Sequence, residues 1–306
     1  MLVVALEHID EGEELFTIPY TSTLTVENTL LYTKAYEPLK PLQYWAALTL
    51  ALICEYGRGQ QSPWEPYLQL LPDALDTLMH WSDSELSELQ GSTVISKIGK
   101  SDADELFETK LWPIASTHRN SFGLLAEMFA TPDGKTTFKD LCHRTASIIF
   151  AYGFDYDPDF DSDTEVETSD DGQGDSGKIM MVPLADMLNA DADLNNVGIT
   201  FNSHFPLTDT AKAHLVQNTD TVVMTAIRTI SAGDQVFNDF GDLPRSDLLR
   251  RYGYVTDRYK KYDVVELPLH VIRKAVEETR STNSDLNQDP DKLVRDEFAA
   301  MRVVRC

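Results

Sequence analysis

Cysteine is scarce in this chain of 306 residues: Cys54, Cys142 and Cys306 stand far apart, with no Cys-x-x-Cys or Cys-x-Cys spacing. That excludes a disulfide framework and a cysteine-rich zinc cluster, and no metal is expected. Basic charge is also short, with 26 Lys and Arg against 50 Asp and Glu and a formal net charge of −24. Such a surface repels a phosphate backbone, so direct nucleic-acid binding is not expected. Long apolar runs are missing as well. The longest, Tyr44–Cys54, falls well short of the roughly 20 residues that a membrane span needs. Met1–Leu6 has neither the basic flank nor the length of a secretory signal. The expectation is an intracellular monomer of the nucleus or cytoplasm with no membrane contact.

What is present suffices for a packed core, with 42% hydrophobic and 9% aromatic residues. The acidic excess is concentrated in Asp155–Asp175, which carries no Lys or Arg and few apolar residues. Self-repulsion predicts an unfolded, solvated loop there, over about residues 155–177, and a lure for a basic tail is the sharper reading. Its alternating Asp residues do not make a calcium loop, because no register supplies Gly at the sixth place together with Glu at the twelfth.

Val3–Leu6 and Glu14–Ile18 read as two short strands joined by a turn at Glu11-Gly12 and closed by Pro19. The pattern Ile9-x-x-Gly12-Glu-Glu-Leu-Phe16 returns as Ile230-x-x-Gly233-Asp-Gln-Val-Phe237. The same turn-then-strand device is used twice, without the sustained period of a solenoid. Residues 38–154 are mostly helical in pattern. Gln43–Tyr56 is apolar nearly all round, Ser82-x-x-Glu85 and Ser101-x-x-Asp104 look like helix starts, and His143–Phe154 ends the section. Ile179–Phe201 and Thr221–Phe240 are β-rich, Ser246–Tyr254 starts a helix, and Val264–Arg302 has helical spacing broken by the polar Ser281–Asp291.

Three motifs follow one another: Ala151-Tyr-Gly-Phe154, Asp186-Met-Leu-Asn189-Ala190 and Arg251-Tyr-Gly-Tyr254, the last preceded by Gly233–Gly241. In this order they resemble the cofactor pocket of the SET-domain protein-lysine methyltransferases, in the branch with a helical insert. The resemblance implies an α+β fold: a β-rich SET core over 1–241, split by a helical insert at about 38–154, then a truncated helical C-terminal substrate-binding domain over 242–306. It also implies S-adenosylmethionine as cofactor and a basic protein as substrate, with a ribosomal protein as first expectation.

Site residues carry over motif by motif. Asn189 and Ala190 occupy the place of the family's Asn-His pair, whose backbone groups hold the adenine, and the backbone N–H and C=O survive the change to Ala. Asp186 matches a carboxylate that braces this loop. Tyr152 matches an aromatic that touches the cofactor, and Tyr252 one that packs against both cofactor and lysine channel. Trp64, with Tyr67 nearby, stands where the insert has a substrate-facing tryptophan, and Asp155 opens the acidic loop that would meet a basic substrate. The family usually places a Gly-x-Gly cofactor loop just before the segment matching Val3-Val4-Ala5; Met1-Leu2 stands there. Leu2 is therefore taken as the cofactor-side residue, and a fragment or shortened chain is expected.

Lysine methylation needs a neutral amine in line with a sulfonium methyl, the reacting atoms roughly 3 to 3.5 Å apart. A free lysine has a pKa of about 10.4, so about one molecule in a thousand is neutral near pH 7.4. An aromatic channel strips water from the amine and aligns it. Phe240 departs from the family here, since the tyrosine usual at its place carries the hydroxyl treated as catalytic. Losing that contact costs on the order of 1 to 3 kcal/mol, or about one to two decades of rate. A weak enzyme is expected, with the Tyr252 hydroxyl as nearest substitute. A non-catalytic reader of basic tails and a protein-histidine methyltransferase stay open.

Overall fold

The computed structural model describes residues 2–156, 178–202, 221–265 and 271–275. The acidic stretch beyond Tyr156 and nearly all of the C-terminal helical stretch fall outside them. In chain order the elements are β1 (Glu14–Pro19), α1 (Leu30–Leu39), α2 (Tyr44–Arg58), α3 (Glu65–Leu68), α4 (Asp83–Leu86), α5 (Lys100–Leu106), α6 (Trp112–Thr117), α7 (Gly134–Tyr152), β2 (Gly153–Tyr156), β3 (Lys178–Met181), β4 (Asn189–Ala190), β5 (Val197–Asn202), β6 (Thr221–Ala226), β7 (Phe237–Asn238) and α8 (Arg245–Tyr252). Helices and strands are segregated along the chain, which is the α+β arrangement expected.

The strand-rich part is built on a three-stranded antiparallel sheet in the order β1-β6-β5. β6 is central and rich in β-branched residues, so Val222, Val223 and Met224 are buried in succession. The repeated Ile-x-x-Gly motif is the hinge of this half. Ile9 and Ile230 exchange backbone hydrogen bonds of 2.9 Å each way. Gly12 N–H donates to Ala226 O and Gly233 N–H to Ala5 O, both at 2.8 Å. Ala226 N–H donates to Glu13 O and Ala5 N–H to Asp234 O, both at 2.9 Å. Each of these backbone bonds on one copy has its counterpart on the other, as in a local twofold. Both glycines have positive φ, 87° at Gly12 and 89° at Gly233, the conformation that glycine adopts without steric cost. The expected strand over Val3–Leu6 is reduced to a bridge between Val4 and Gln235, because this segment spends its other hydrogen bonds on the turn.

The helical part begins at Leu30, earlier than the sequence pattern indicates, and packs around α2. Leu48, Leu50, Leu52 and Ile53 are at most 1% exposed, and each contributes about 1.5–3 kcal/mol by leaving water. α4 starts with the capping box expected at Ser82 and Glu85. Ser101 is not a cap: α5 starts at Lys100 behind Gly99, and Asp104 is engaged by His143 at 2.6 Å instead. α7 stops at Tyr152, two residues short of expectation, because Gly153 and Phe154 pair with Met181 and Met180 in the β2–β3 hairpin. That hairpin joins the two halves. Strand alternation sends Met180 into the strand core and Met181 into the helical core, both buried.

Candidate active site

The site forms where β4 meets β7. These two-residue strands pair in parallel, Asn189 opposite Phe237 and Ala190 opposite Asn238. So short a ladder needs help, and Asn196 supplies it. Its Oδ1 accepts from Phe237 N–H at 2.8 Å, its Nδ2 donates to Gln235 O at 2.9 Å, and its own N–H donates to Phe237 O at 3.0 Å. Asp191 N–H extends the pairing to Asn238 O at 3.1 Å. The loop bearing Asn189 is thereby fixed against the strand leading to Phe240.

Beyond Phe240, Gly241 turns the chain at φ 81°, its N–H donating to Asp239 Oδ1 at 2.9 Å. Pro244 then opens α8, which ends at Tyr252 with Gly253 in the left-handed conformation. The Tyr252 ring returns onto Phe240 as a parallel stack, centroids 3.9 Å apart and planes at 7°. Gly253 is required for a second reason: a Cβ there would stand 2.5 Å from Asp76 O. This close approach brings the 70–77 segment of the helical part to the site as its third wall.

On the opposite wall, α7 delivers Tyr152. A Cβ on Gly153 would lie 2.5 Å from both Ile149 O and Ile179 Cγ2, so the Tyr-Gly pair permits the tight passage from helix into hairpin. Asp186 sits on a 3-10 turn entered through Leu184, the one described non-glycine residue at positive φ (76°). Tyr67 Oη donates to Asp186 Oδ2 at 2.5 Å, tying the helical part to the strand part. Burial pushes the Asp186 carboxyl up to about 7, against the Tyr67 hydrogen bond, which favours the anion. Asp186 Oδ1 is buried without a protein partner. Burial also raises the Tyr152 hydroxyl, with the Asp186 charge adding to it, and takes Tyr252 up to about 12.

These walls enclose a cavity of about 900 Å³. Tyr152, Asp155, Asp186, Asn189, Ala190, Phe240 and Tyr252 all line it, so seven of the residues singled out in the sequence meet in one place. Two do not. Trp64 is 6% exposed in the helical core, with its indole N–H on Ser22 O at 3.0 Å, and the expectation that it faces substrate is corrected. Its neighbour Tyr67, beyond the Pro that starts α3, reaches the cavity instead. Leu2 is 63% exposed and is not on the cavity wall, which corrects its assignment to the cofactor side. Among the described residues no group of His, Cys, Asp and Glu could hold a metal.

The sequence is similar to ribosomal lysine N-methyltransferase 4 of Saccharomyces cerevisiae, 34% identical over 295 residues, which cover 92% of this chain and 54% of that protein. It is also similar to N-lysine methyltransferase setd6 of Salmo salar, 30% identical over 290 residues, covering 91% and 56%. The chain therefore spans about half the length of these relatives. No protein-family model matches it. The fold is similar to that of the SET domain of LSMT bound to lysine and AdoHcy, with a TM-score of 0.56 and 18% identity over 89% of this chain and 55% of that one. A structure of Rubisco LSMT bound to AdoMet gives the same TM-score of 0.56 over 92% of this chain and 57% of that one. The chain therefore has the fold of a SET domain and is similar in sequence, over most of its own length, to lysine N-methyltransferases.

Proposed function

We propose that this chain is the SET portion of an S-adenosylmethionine-dependent protein-lysine N-methyltransferase that acts on a basic protein. The observation that carries the proposal is the shared cavity, where the Asn189–Ala190 edge and the Phe240–Tyr252 stack face a common space of about 900 Å³. Its size lies within the roughly 300–1,000 Å³ of small-molecule pockets. The unpartnered Asp186 Oδ1 and the rings of Tyr152 and Tyr252 suit a ligand that is cationic at one end and aromatic at the other.

S-adenosylmethionine, when bound, supplies an electrophilic methyl group on a sulfonium. The chain supplies everything else. The Asn189–Ala190 edge brings backbone polar groups of Ala190, on the side away from the β4–β7 ladder, to the cavity where an adenine would sit. The Phe240 and Tyr252 rings exclude water from the incoming lysine, which disfavours its ammonium form and lines up the neutral amine. Tyr252, its hydroxyl held protonated by burial, offers a dipole and not an anion beside the ring that lacks one. Asp155 at the cavity mouth and the overall charge of −24 favour a basic substrate.

The name of the yeast relative supports a ribosomal protein as the substrate. Action as a monomer in the nucleus or cytoplasm is part of the proposal, without nucleic-acid or membrane contact. Among the described residues no helix is long and apolar enough to cross a membrane. Incubation with methyl-labelled cofactor and a ribosomal-protein extract tests it. A discrete labelled band with label on lysine by mass spectrometry supports the proposal, and label on histidine redirects it. Cofactor binding without any label favours a second reading, a non-catalytic reader of basic tails, which the missing hydroxyl of Phe240 motivates.

A further inference from the structure

Outside the cavity, one turn joins the segment behind the Asn189–Ala190 edge to α8, which carries Tyr252. It is the 3-10 turn Asp257–Tyr262, just beyond α8. Arg258 forms an ion pair with Asp191 Oδ2. Lys261 Nζ reaches Asp193 Oδ1 at 2.8 Å and Ala192 O at 3.3 Å. Both basic residues thus grip the three residues that follow Ala190. Asp191 is itself 8% exposed, and its Oδ1 accepts from Asp193 N–H and Leu194 N–H, each at 3.0 Å, which closes the loop back toward Asn196.

The same turn is fastened to the other wall. Arg245, the first residue of α8, holds both of its ends, with Nη1 on Asp257 Oδ1 at 3.0 Å and Nη2 on Asp263 Oδ2 at 2.6 Å. Tyr259, fully buried in the middle of the turn, packs its ring against Tyr262, and the turn as a whole packs against α8, which ends at Tyr252. The turn therefore spans from the residues just after the Asn189–Ala190 edge to the helix that carries Tyr252.

We infer that Arg258 is a positioning residue for the cofactor site, acting through Asp191 to hold the Asn189–Ala190 edge at its spacing from Phe240 and Tyr252. The inference rests on the cofactor reading proposed above. The guanidinium side chain is 46% exposed, so solvent screens the pair and its share of global stability is small. Its effect falls on geometry, since the edge it holds is only two residues long. Small displacements of positioning groups cost far more in ligand binding and rate than in folding.

Calorimetric titration of the full chain with S-adenosylhomocysteine, a ligand that does not turn over, tests this alongside the thermal midpoint of the ligand-free protein. Arg258→Ala and Asp191→Asn are each expected to weaken binding about 10-fold, and the double variant no further than either single one, because the two act as one unit. Arg258→Lys, which keeps the charge but not the planar fork, is expected between parent and Ala. The asparagine keeps an oxygen for the Asp193 and Leu194 amides, so its fold is retained and it decides the question even where the alanine variant unfolds. Unchanged affinity in both single variants, or losses that add in the double variant, overturn the inference alone. A parent chain that binds no cofactor analogue overturns the proposed function and this inference with it.

Discussion

The Phe240 ring lies flat on the Tyr252 ring, 3.9 Å between centroids and 7° between planes. Stacked pairs of this kind contribute about 0.5–1.5 kcal/mol beyond the area they bury. The stack also fixes where a hydroxyl on residue 240 would point, since the ring cannot tilt without losing its neighbour. The wall at Phe240 is therefore complete as a surface and incomplete only in its chemistry.

Phe240→Tyr is expected to restore a polar contact without disturbing the stack. The initial rate of methyl transfer should rise by about tenfold or more, while affinity for the cofactor analogue stays within about twofold. Rates are read with labelled cofactor at saturating substrate. A variant that binds cofactor and substrate but remains silent would falsify the enzyme reading and leave the reader of basic tails.

How far the residues alone lead depends on whether the signal is local. The Ile-x-x-Gly repeat was visible in the sequence and emerges as two turns with matching backbone bonds, because each copy is a complete local device. The all-round apolar stretch at Gln43–Tyr56 became the central helix for the same reason. Trp64 and Tyr67 sit in one short segment whose spacing cannot say which ring turns inward, and there the expectation chose the wrong one. Arg258 and Asp191 are 67 positions apart and leave no pattern in the chain at all. Asn196 stood in plain view, as an Asn-Asn pair before a strand, but only the partner backbone at Gln235 and Phe237 reveals what it does.

Asp186 gives the protein a pH dependence whose sign is fixed by burial. Its carboxyl is raised from 3.8 to about 7 in the folded chain. Between those values the folded state keeps a proton that the unfolded state has released, so stability falls as pH rises, and the loss is complete above about pH 7. Asp186→Asn has no proton to lose and can still accept from Tyr67. Its stability relative to the parent should climb from pH 4 to pH 7 and then level off, by on the order of 2 kcal/mol after allowing for partial solvent access, with the thermal midpoints following in the same direction. A constant offset between the two curves across that window sinks the assignment.

Asn196→Ala removes the two side-chain bonds that stand in for a longer β4–β7 ladder. The expected cost is about 1–3 kcal/mol, the range for orphaning buried backbone groups. Hydrogen exchange adds the location: the Phe237 amide, which donates to Asn196 Oδ1, should lose protection before those of β6. Equal loss throughout the sheet would mean that Asn196 supports the whole core and not this edge.

Two glycines separate conformational strain from steric conflict. Gly233 and Gly253 have similar φ, 89° and 77°, so alanine meets comparable backbone strain at either, on the order of 1 kcal/mol. They differ in surroundings. Nothing lies within 4 Å of a Cβ on Gly233, whereas at Gly253 it would meet Asp76 O at 2.5 Å and Thr77 N at 3.2 Å. Gly233→Ala should therefore cost only the strain, while Gly253→Ala adds a backbone clash, for a total of about 2–4 kcal/mol. Relief of that clash requires the 70–77 wall to move away from Tyr252, so the second variant should also weaken cofactor-analogue binding and the first should not. Denaturant titration gives the stabilities and calorimetry the affinities. Equal costs at the two positions would show that the wall gives way freely and does not shape the cavity.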